Sequence, residues 1–127
     1  MARASTLLLL ALASAACSDE ASQRVQHDRI AAVRTGLNVI KAAPGGPLAR
    51  FADVRLIGAH VVCGTVDGQD GIGPRHFGVA HGEAVIEQPD DPATRAAVAR
   101  TCTGGPSRKV VSRNPIYSDI DVEEQPS

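Results

Sequence analysis

Two of the three cysteines, Cys63 and Cys102, are the residues in this chain best suited to forming a covalent bond. Cys63 lies within a β-branched segment that predicts a buried strand, and Cys102 lies at the end of a predicted helix. A reactive or metal-binding thiol would need a neighbouring cation or further ligands, and neither cysteine belongs to a Cys-x-x-Cys motif. We therefore predict a structural disulfide, which stabilises a loop of this length by about 4 kcal/mol in the chain-entropy treatment.

A glycine-rich segment follows the first of these cysteines and carries Asp67, Gln69 and Asp70, with Arg75 just beyond it. Its aspartates suggest calcium, but the alternating oxygen positions and the closing glutamate of an EF-hand loop are absent. Aspartate and glycine also occur in turns because both tolerate positive φ. Since loops on a rigid scaffold often carry function, we predict that these four residues form a recognition loop without a metal.

The four histidines and the serines form no recognisable catalytic or metal-binding pattern. His76 and His81 are separated by an odd number of positions, so they would face opposite sides of a continuous strand. No serine lies at a strand-to-helix elbow, a disulfide would make Cys63 unreactive, and no complete dinucleotide-binding loop is present. We predict a non-catalytic protein without a cofactor. The alternative is a small hydrolase or metal-dependent enzyme whose site assembles from distant residues.

The first sixteen residues have the three-part layout of a secretory signal peptide. Arg3 supplies a positive start, residues 7–13 form an apolar segment led by leucines, and residues 14–16 are small. The apolar segment is too short to span a bilayer as a mature helix. We therefore predict export, with residues 1–16 as the signal.

Residues 14–17, Ser-Ala-Ala-Cys, resemble the lipobox of bacterial lipoproteins, in which the cysteine is acylated and becomes the new N-terminus. Ordinary cleavage after Ala15 is the alternative. Three cysteines are an odd number, and acylation of Cys17 leaves a pair that can form a disulfide. The resemblance implies attachment to a membrane through a lipid anchor at Cys17. Ser18 after that cysteine implies the outer membrane, with the protein facing the periplasm.

Length and composition allow one small domain with a weak core. The chain has 127 residues, of which 2% are aromatic, and it contains no tryptophan. Much of its apolar content is alanine, so a covalent bond would compensate for limited burial. The 13 basic and 14 acidic residues nearly balance, and no basic stripe predicts nucleic-acid binding. We expect an unidentified protein or other envelope partner instead.

The elements that position these residues begin with a helix. Residues 17–27 are polar and predict a tether, whereas Ile30, Val33, Leu37 and Ile40 follow the spacing of an amphipathic helix. Proline and glycine then end the helix.

Four short strands are predicted over residues 51–57, 60–66, 75–80 and 83–88 because apolar side chains alternate or cluster between turn residues. Asp91 as N-cap and Pro92 at the first helical position predict a second helix that reaches Cys102. Residues 107–127 are polar and predict a disordered tail. The alternative is an edge strand at residues 110–111 or 116–117.

Residues 47–54, Pro-Leu-Ala-Arg-Phe-Ala-Asp-Val, and 62–67, Val-Cys-Gly-Thr-Val-Asp, resemble a group of small exported bacterial proteins of uncharacterised function. These proteins share a Pro-x-Ser-Ala-x-Phe segment and a Cys-Gly-x-Val-Asn core. They also share a Phe-bearing strand and a late cysteine, to which Phe77 and Cys102 correspond. This chain has leucine in place of the serine and aspartate in place of the asparagine. The resemblance implies export and an α+β domain, and it supplies no reaction.

The predicted architecture is therefore an α+β domain over residues 28–106. It contains an N-terminal amphipathic helix, a small antiparallel sheet of about four strands, and a short C-terminal helix joined to the sheet by the disulfide. The predicted function is that of a lipid-anchored binding or structural module of the cell envelope.

Overall fold

The computed structural model of the chain describes residues 2–43, 46–68 and 71–127, with side chains from residue 19 onward. Two helices, a short 3₁₀ turn at Gly46–Leu48 and six strands follow one another along the chain. The elements are α1 (Ala2–Lys41), β1 (Arg50–Ile57), β2 (Val61–Asp67), β3 (Arg75–Ala80), β4 (Glu83–Ile86), α2 (Pro92–Thr101), β5 (Ser107–Ser112) and β6 (Ile120–Val122). The α+β class predicted from the sequence is confirmed.

The strands form one antiparallel sheet in the order β4-β3-β2-β1-β5-β6. The prediction of about four strands was wrong, because β5 and β6 extend the sheet with residues from the segment expected to be a disordered tail. The alternative strand at residues 110–111 is part of β5. It lies inside the sheet rather than at its edge, since β5 pairs with β1 on one side and β6 on the other.

Helix α1 is longer than the predicted amphipathic helix and includes residues 17–27, the predicted polar tether. The apolar stripe lies where the sequence places it, with Val33, Leu37 and Ile40 buried against the sheet. At Gly36 an added Cβ would lie 2.7 Å from Val62 Cγ2, so glycine allows the helix to approach β2 closely. In the described part of the chain, no helix is both long enough and apolar enough to cross a membrane.

The core lies between α1 and one face of the sheet. Phe77, Leu37 and Leu56 are among its largest fully buried side chains, and valines fill most of the remaining space. Phe51 packs edge-to-face on Phe77, with 5.7 Å between ring centroids, and on Tyr117 at 6.1 Å. Edge-to-face pairs add about 0.5–1.5 kcal/mol beyond their buried area, so three rings partly offset the low aromatic content.

Helix α2 packs on β3 and β4 across the opposite face of the sheet. It begins as predicted: the Asp91 carboxylate accepts the Ala93 N–H at 3.0 Å, and Pro92 follows the cap. Its C-cap residue is Cys102. Because α2 contacts only one end of this face, the side chains of β1 and β5 on the same face remain accessible.

Candidate functional site

The disulfide between Cys63 and Cys102 is confirmed, with 6.1 Å between the two Cα atoms. Cys63 alternates with the core residue Val62, so its side chain leaves the sheet on the α2 face. The neighbouring β3 position is Gly78, where an added Cβ would lie 3.0 Å from Cys102 Sγ. Glycine at this position therefore allows the end of α2 to pack directly on the sheet.

A β-bulge in β1 presents Asp53 beside this bond. The pairing of β1 with β2 shifts register between Ala52 and Arg55, and Asp53 has a φ of 52°. The facing residue is Gly64, where an added Cβ would lie 3.0 Å from the Ala52 carbonyl oxygen and 3.1 Å from Val54 Cα. The bulge thus requires glycine after Cys63, and bulges of this kind redirect a side chain out of the regular alternation.

Four polar side chains extend across the sheet from this bulge. Ala52, next to Asp53, pairs with Thr65, Thr65 pairs with His76, and the Glu87 N–H donates to the His76 carbonyl at 2.8 Å. We call Asp53, Thr65, His76 and Glu87 the polar row. Neighbouring strands lie about 4.8 Å apart, so adjacent members are within reach of one another. The backbones at the two ends of the row are three strand spacings, roughly 14 Å, apart.

The polar row forms one side of an open cavity of about 400 Å³ beside α2, which we call the groove. The disulfide, Val98 and Ala99 supply its apolar lining. Arg55 and Arg95 also line it. The groove therefore combines an apolar floor with charged groups of both signs, a common composition for sites that bind small ligands.

The charges around the groove are only partly paired. Arg95 Nε lies 3.4 Å from Glu87 Oε2, but Arg95 is 73% exposed, so the pair contributes little stability. Arg55 Nη1 donates to the hydroxyl oxygens of Ser107 and Ser127 at 2.9 and 3.0 Å. Asp53 has no hydrogen bond or salt bridge within residues 46–68 or the other described segments. An unpaired acid and a cation with neutral partners are thus available to a ligand.

Asp67 and Arg75, the described members of the predicted recognition loop, adjoin the groove without lining it. Asp67 ends β2 and Arg75 begins β3, so the loop leaves the strands just beyond Thr65 and His76. Arg75 Nη1 donates to Gln88 Oε1 at 3.2 Å, whereas Gln69 and Asp70 lie outside the described residues. The loop therefore stays a prediction.

Among the described residues, no group of three or more His, Cys, Asp or Glu side chains is placed to hold a metal ion. His76 lines the groove, while His60 and His81 line a separate cavity of about 260 Å³ next to α1. The side chain of Cys17, the predicted acylation site, falls outside the described residues.

Sequence reasoning missed Asp53, Thr65, Glu87 and Arg95 as members of one site. The available signal was Gly64 directly after the cysteine, since glycine inside a strand often marks a bulge or a close backbone approach. No known protein family, curated protein or solved structure matches this chain, so its function has to be argued from the groove and the disulfide.

Proposed function

We propose that this protein is an exported, lipid-anchored and non-catalytic binding module of the cell envelope. Its anchor is an acylated Cys17, residues 1–16 are its signal peptide, and it faces the periplasm from the outer membrane. The observation that carries the proposal is the floor of the groove, which is the Cys63–Cys102 bond. Such bonds persist in oxidising compartments, so the same feature supports export and rigidifies a ligand-sized cavity.

Binding is favoured over glycoside hydrolysis by the spacing of the acids. Retaining and inverting glycosidases hold their two carboxyl groups roughly 5–9.5 Å apart. The backbones that carry Asp53 and Glu87 are three strand spacings, about 14 Å, apart, and Glu87 is paired with Arg95. This wide backbone separation and the pairing of Glu87 with Arg95 favour binding over such a carboxylate pair.

A second candidate is a small hydrolase, favoured by one specific observation. Thr65 in β2, His76 in β3 and Glu87 directly after β4 lie side by side in the order nucleophile, base and acid. No side-chain hydrogen bond joins Thr65 to His76 in the described ranges. Catalytic hydrogen bonds often form only when substrate binds, so its absence does not exclude this role. Hydrolysis of p-nitrophenyl acetate that is lost in His76→Gln and kept in His81→Gln would establish this function. Equal rates in both variants would exclude it.

The anchoring part of the proposal is tested by intact-mass spectrometry of protein purified from its own envelope. We expect diacylglycerol on Cys17 and a mass two hydrogens lower than that of the reduced chain. An unacylated N-terminus beginning at residue 16 would show ordinary cleavage and refute lipid anchoring. A Cys17→Ser variant should leave the membrane fraction while keeping its disulfide.

The binding part is tested by placing a photo-crosslinking amino acid at Ala99 in the groove. The matched control is Ala31, which is exposed on α1. In intact cells we expect an adduct from position 99 and none from position 31. No adduct at position 99, or equal adducts at both, would refute a binding role for the groove.

The recognition loop is tested in the same cells. If the loop contacts the partner, an Asp67→Asn/Asp70→Asn variant should lose the adduct formed at position 99. Retention of the adduct would restrict recognition to the groove.

A further inference from the structure

We propose that the groove, together with Lys109 on the neighbouring strand, binds the head group of an α-amino acid, with the carboxylate on Arg55 and Lys109 and the ammonium on Asp53. This inference deepens the binding function proposed above and rests on it. It follows from two unpaired charge sites of opposite sign that lie side by side on one face of the sheet.

The anion site is a pair of cations that face each other across two strands. Arg55 in β1 is directly opposite Lys109 in β5. Like charges in this position destabilise a sheet by up to about 1 kcal/mol. Arg55 bonds only neutral hydroxyls, and the exposed Lys109 side chain has no partner among the residues that the structure describes. A carboxylate placed between them would turn this repulsion into charge-assisted hydrogen bonds.

The cation site is Asp53. A positive φ costs most residues with a Cβ roughly 1–2 kcal/mol and aspartate less, and at Asp53 it occurs inside a strand rather than in a turn. The strained backbone holds the carboxylate at the groove, where no described cation neutralises it. Backbone strain at a cavity, in a residue whose side chain has no partner among the described residues, points to a role in ligand binding.

The spacing of the two sites fits a compact zwitterion. Asp53 and Arg55 are two residues apart in β1, so their Cα atoms are separated by at most roughly 7 Å. An α-amino acid carries its ammonium and carboxylate on one carbon, and each can accept or donate a charge-assisted hydrogen bond of about 2.8 Å. Its side chain would then lie on the apolar floor formed by the disulfide and Val98. Leucine is a suitable probe because its side chain is apolar.

The test is calorimetric titration of the oxidised full-length protein with L-leucine, N-acetyl-leucine and leucinamide. N-acetylation removes the ammonium and amidation removes the carboxylate. We expect leucine to bind at least about ten-fold more tightly than either blocked form, since each block removes one charged contact. Equal affinity for all three compounds, or no heat with leucine at 10-fold excess over millimolar protein, would overturn the inference. This comparison needs no variant and so cannot fail through misfolding.

Variants test which protein residues bind the ammonium and which bind the carboxylate of the ligand. In Asp53→Asn, leucine and N-acetyl-leucine should bind equally, and in Arg55→Gln/Lys109→Gln, leucine and leucinamide should bind equally. The matched controls are Asp90→Asn and Arg50→Gln, both at exposed positions outside the groove, which should keep the wild-type preference. Unchanged preference in the groove variants would overturn the assignment.

Two sources present this head group, a free amino acid and a peptide side chain that ends in one. The second is represented by a peptide in which one amino group of meso-diaminopimelate is acylated and the other head group stays free. Tighter binding of leucine or of this peptide identifies the source. Failure here is distinct from failure of the proposed function. A crosslink at position 99 with no leucine binding would retain the binding module and exclude this ligand.

Discussion

Loss of the Cys63–Cys102 bond should remove much of the stability of this domain. The two cysteines are 39 positions apart, and in the chain-entropy treatment closing such a loop stabilises the folded state by about 4 kcal/mol. Typical domains are stable by about 5–15 kcal/mol in total. A Cys63→Ala/Cys102→Ala variant should therefore be folded only marginally.

The same loss of about 4 kcal/mol predicts a decrease in melting temperature. A domain of about 100 residues loses roughly 4–5 °C for each kcal/mol, so the double variant should melt roughly 15–20 °C lower than the oxidised protein. Reduction of the wild type should have a similar effect, because it breaks the bond and keeps both sulfur atoms in place.

The assay is urea unfolding followed by circular dichroism, with and without reductant. Cys17→Ser is the control, since that cysteine is outside the disulfide and its replacement should leave both curves unchanged. A loss of less than about 1 kcal/mol in both the double variant and the reduced protein would refute the reasoning. It would mean that the core under α1 suffices without the covalent bond.

Three further substitutions test the packing and the bulge. Gly64→Ala should lower the free energy of unfolding by about 1–3 kcal/mol, because the new Cβ meets backbone atoms at 3.0 Å, while Gly68→Ala, measured in the same urea series, should change it little. Asp53→Gly should raise the unfolding free energy by up to about 1 kcal/mol while abolishing leucine binding, and a fall in stability would contradict the strain assigned to this residue. Gln26→Ala should cost about 1–2 kcal/mol and speed hydrogen exchange in β6, because Gln26 Nε2 donates to two acceptors there, at 2.7 and 2.6 Å. Gln23→Ala, exposed on the same helix, is the control and should leave exchange unchanged.

The parts of this fold that the sequence predicts are those determined by neighbouring residues. Alternation of apolar side chains located β1 to β4, and the cap at Asp91 located the start of α2. Cysteine count and position were enough for the disulfide. The strand and cap signals each span fewer than about ten residues, whereas the disulfide followed from cysteine number and placement although its partners are 39 positions apart.

The missed elements depend on distant partners. Strand β5 has an alternating pattern too short to identify, and it forms because β1 offers an unpaired edge. The helical residues around Gln26 lack an apolar stripe and are held by β6 instead. The groove could not be predicted from the sequence for the same reason, since Thr65 and His76 become neighbours only through strand register. Register and the bulge at Asp53 are properties of the assembled sheet.

The place of β5 next to β1 has a consequence for how the chain matures. If the polypeptide crosses a membrane N-terminus first, β1 to β4 emerge first as a local meander, and the edge of β1 opposite β2 is unpaired. Only after Ser107–Ser112 has emerged can that edge be covered. If the chain is exported as proposed, the sheet is completed only after this segment has crossed the membrane, and an arrested intermediate would expose a strand able to pair with other chains.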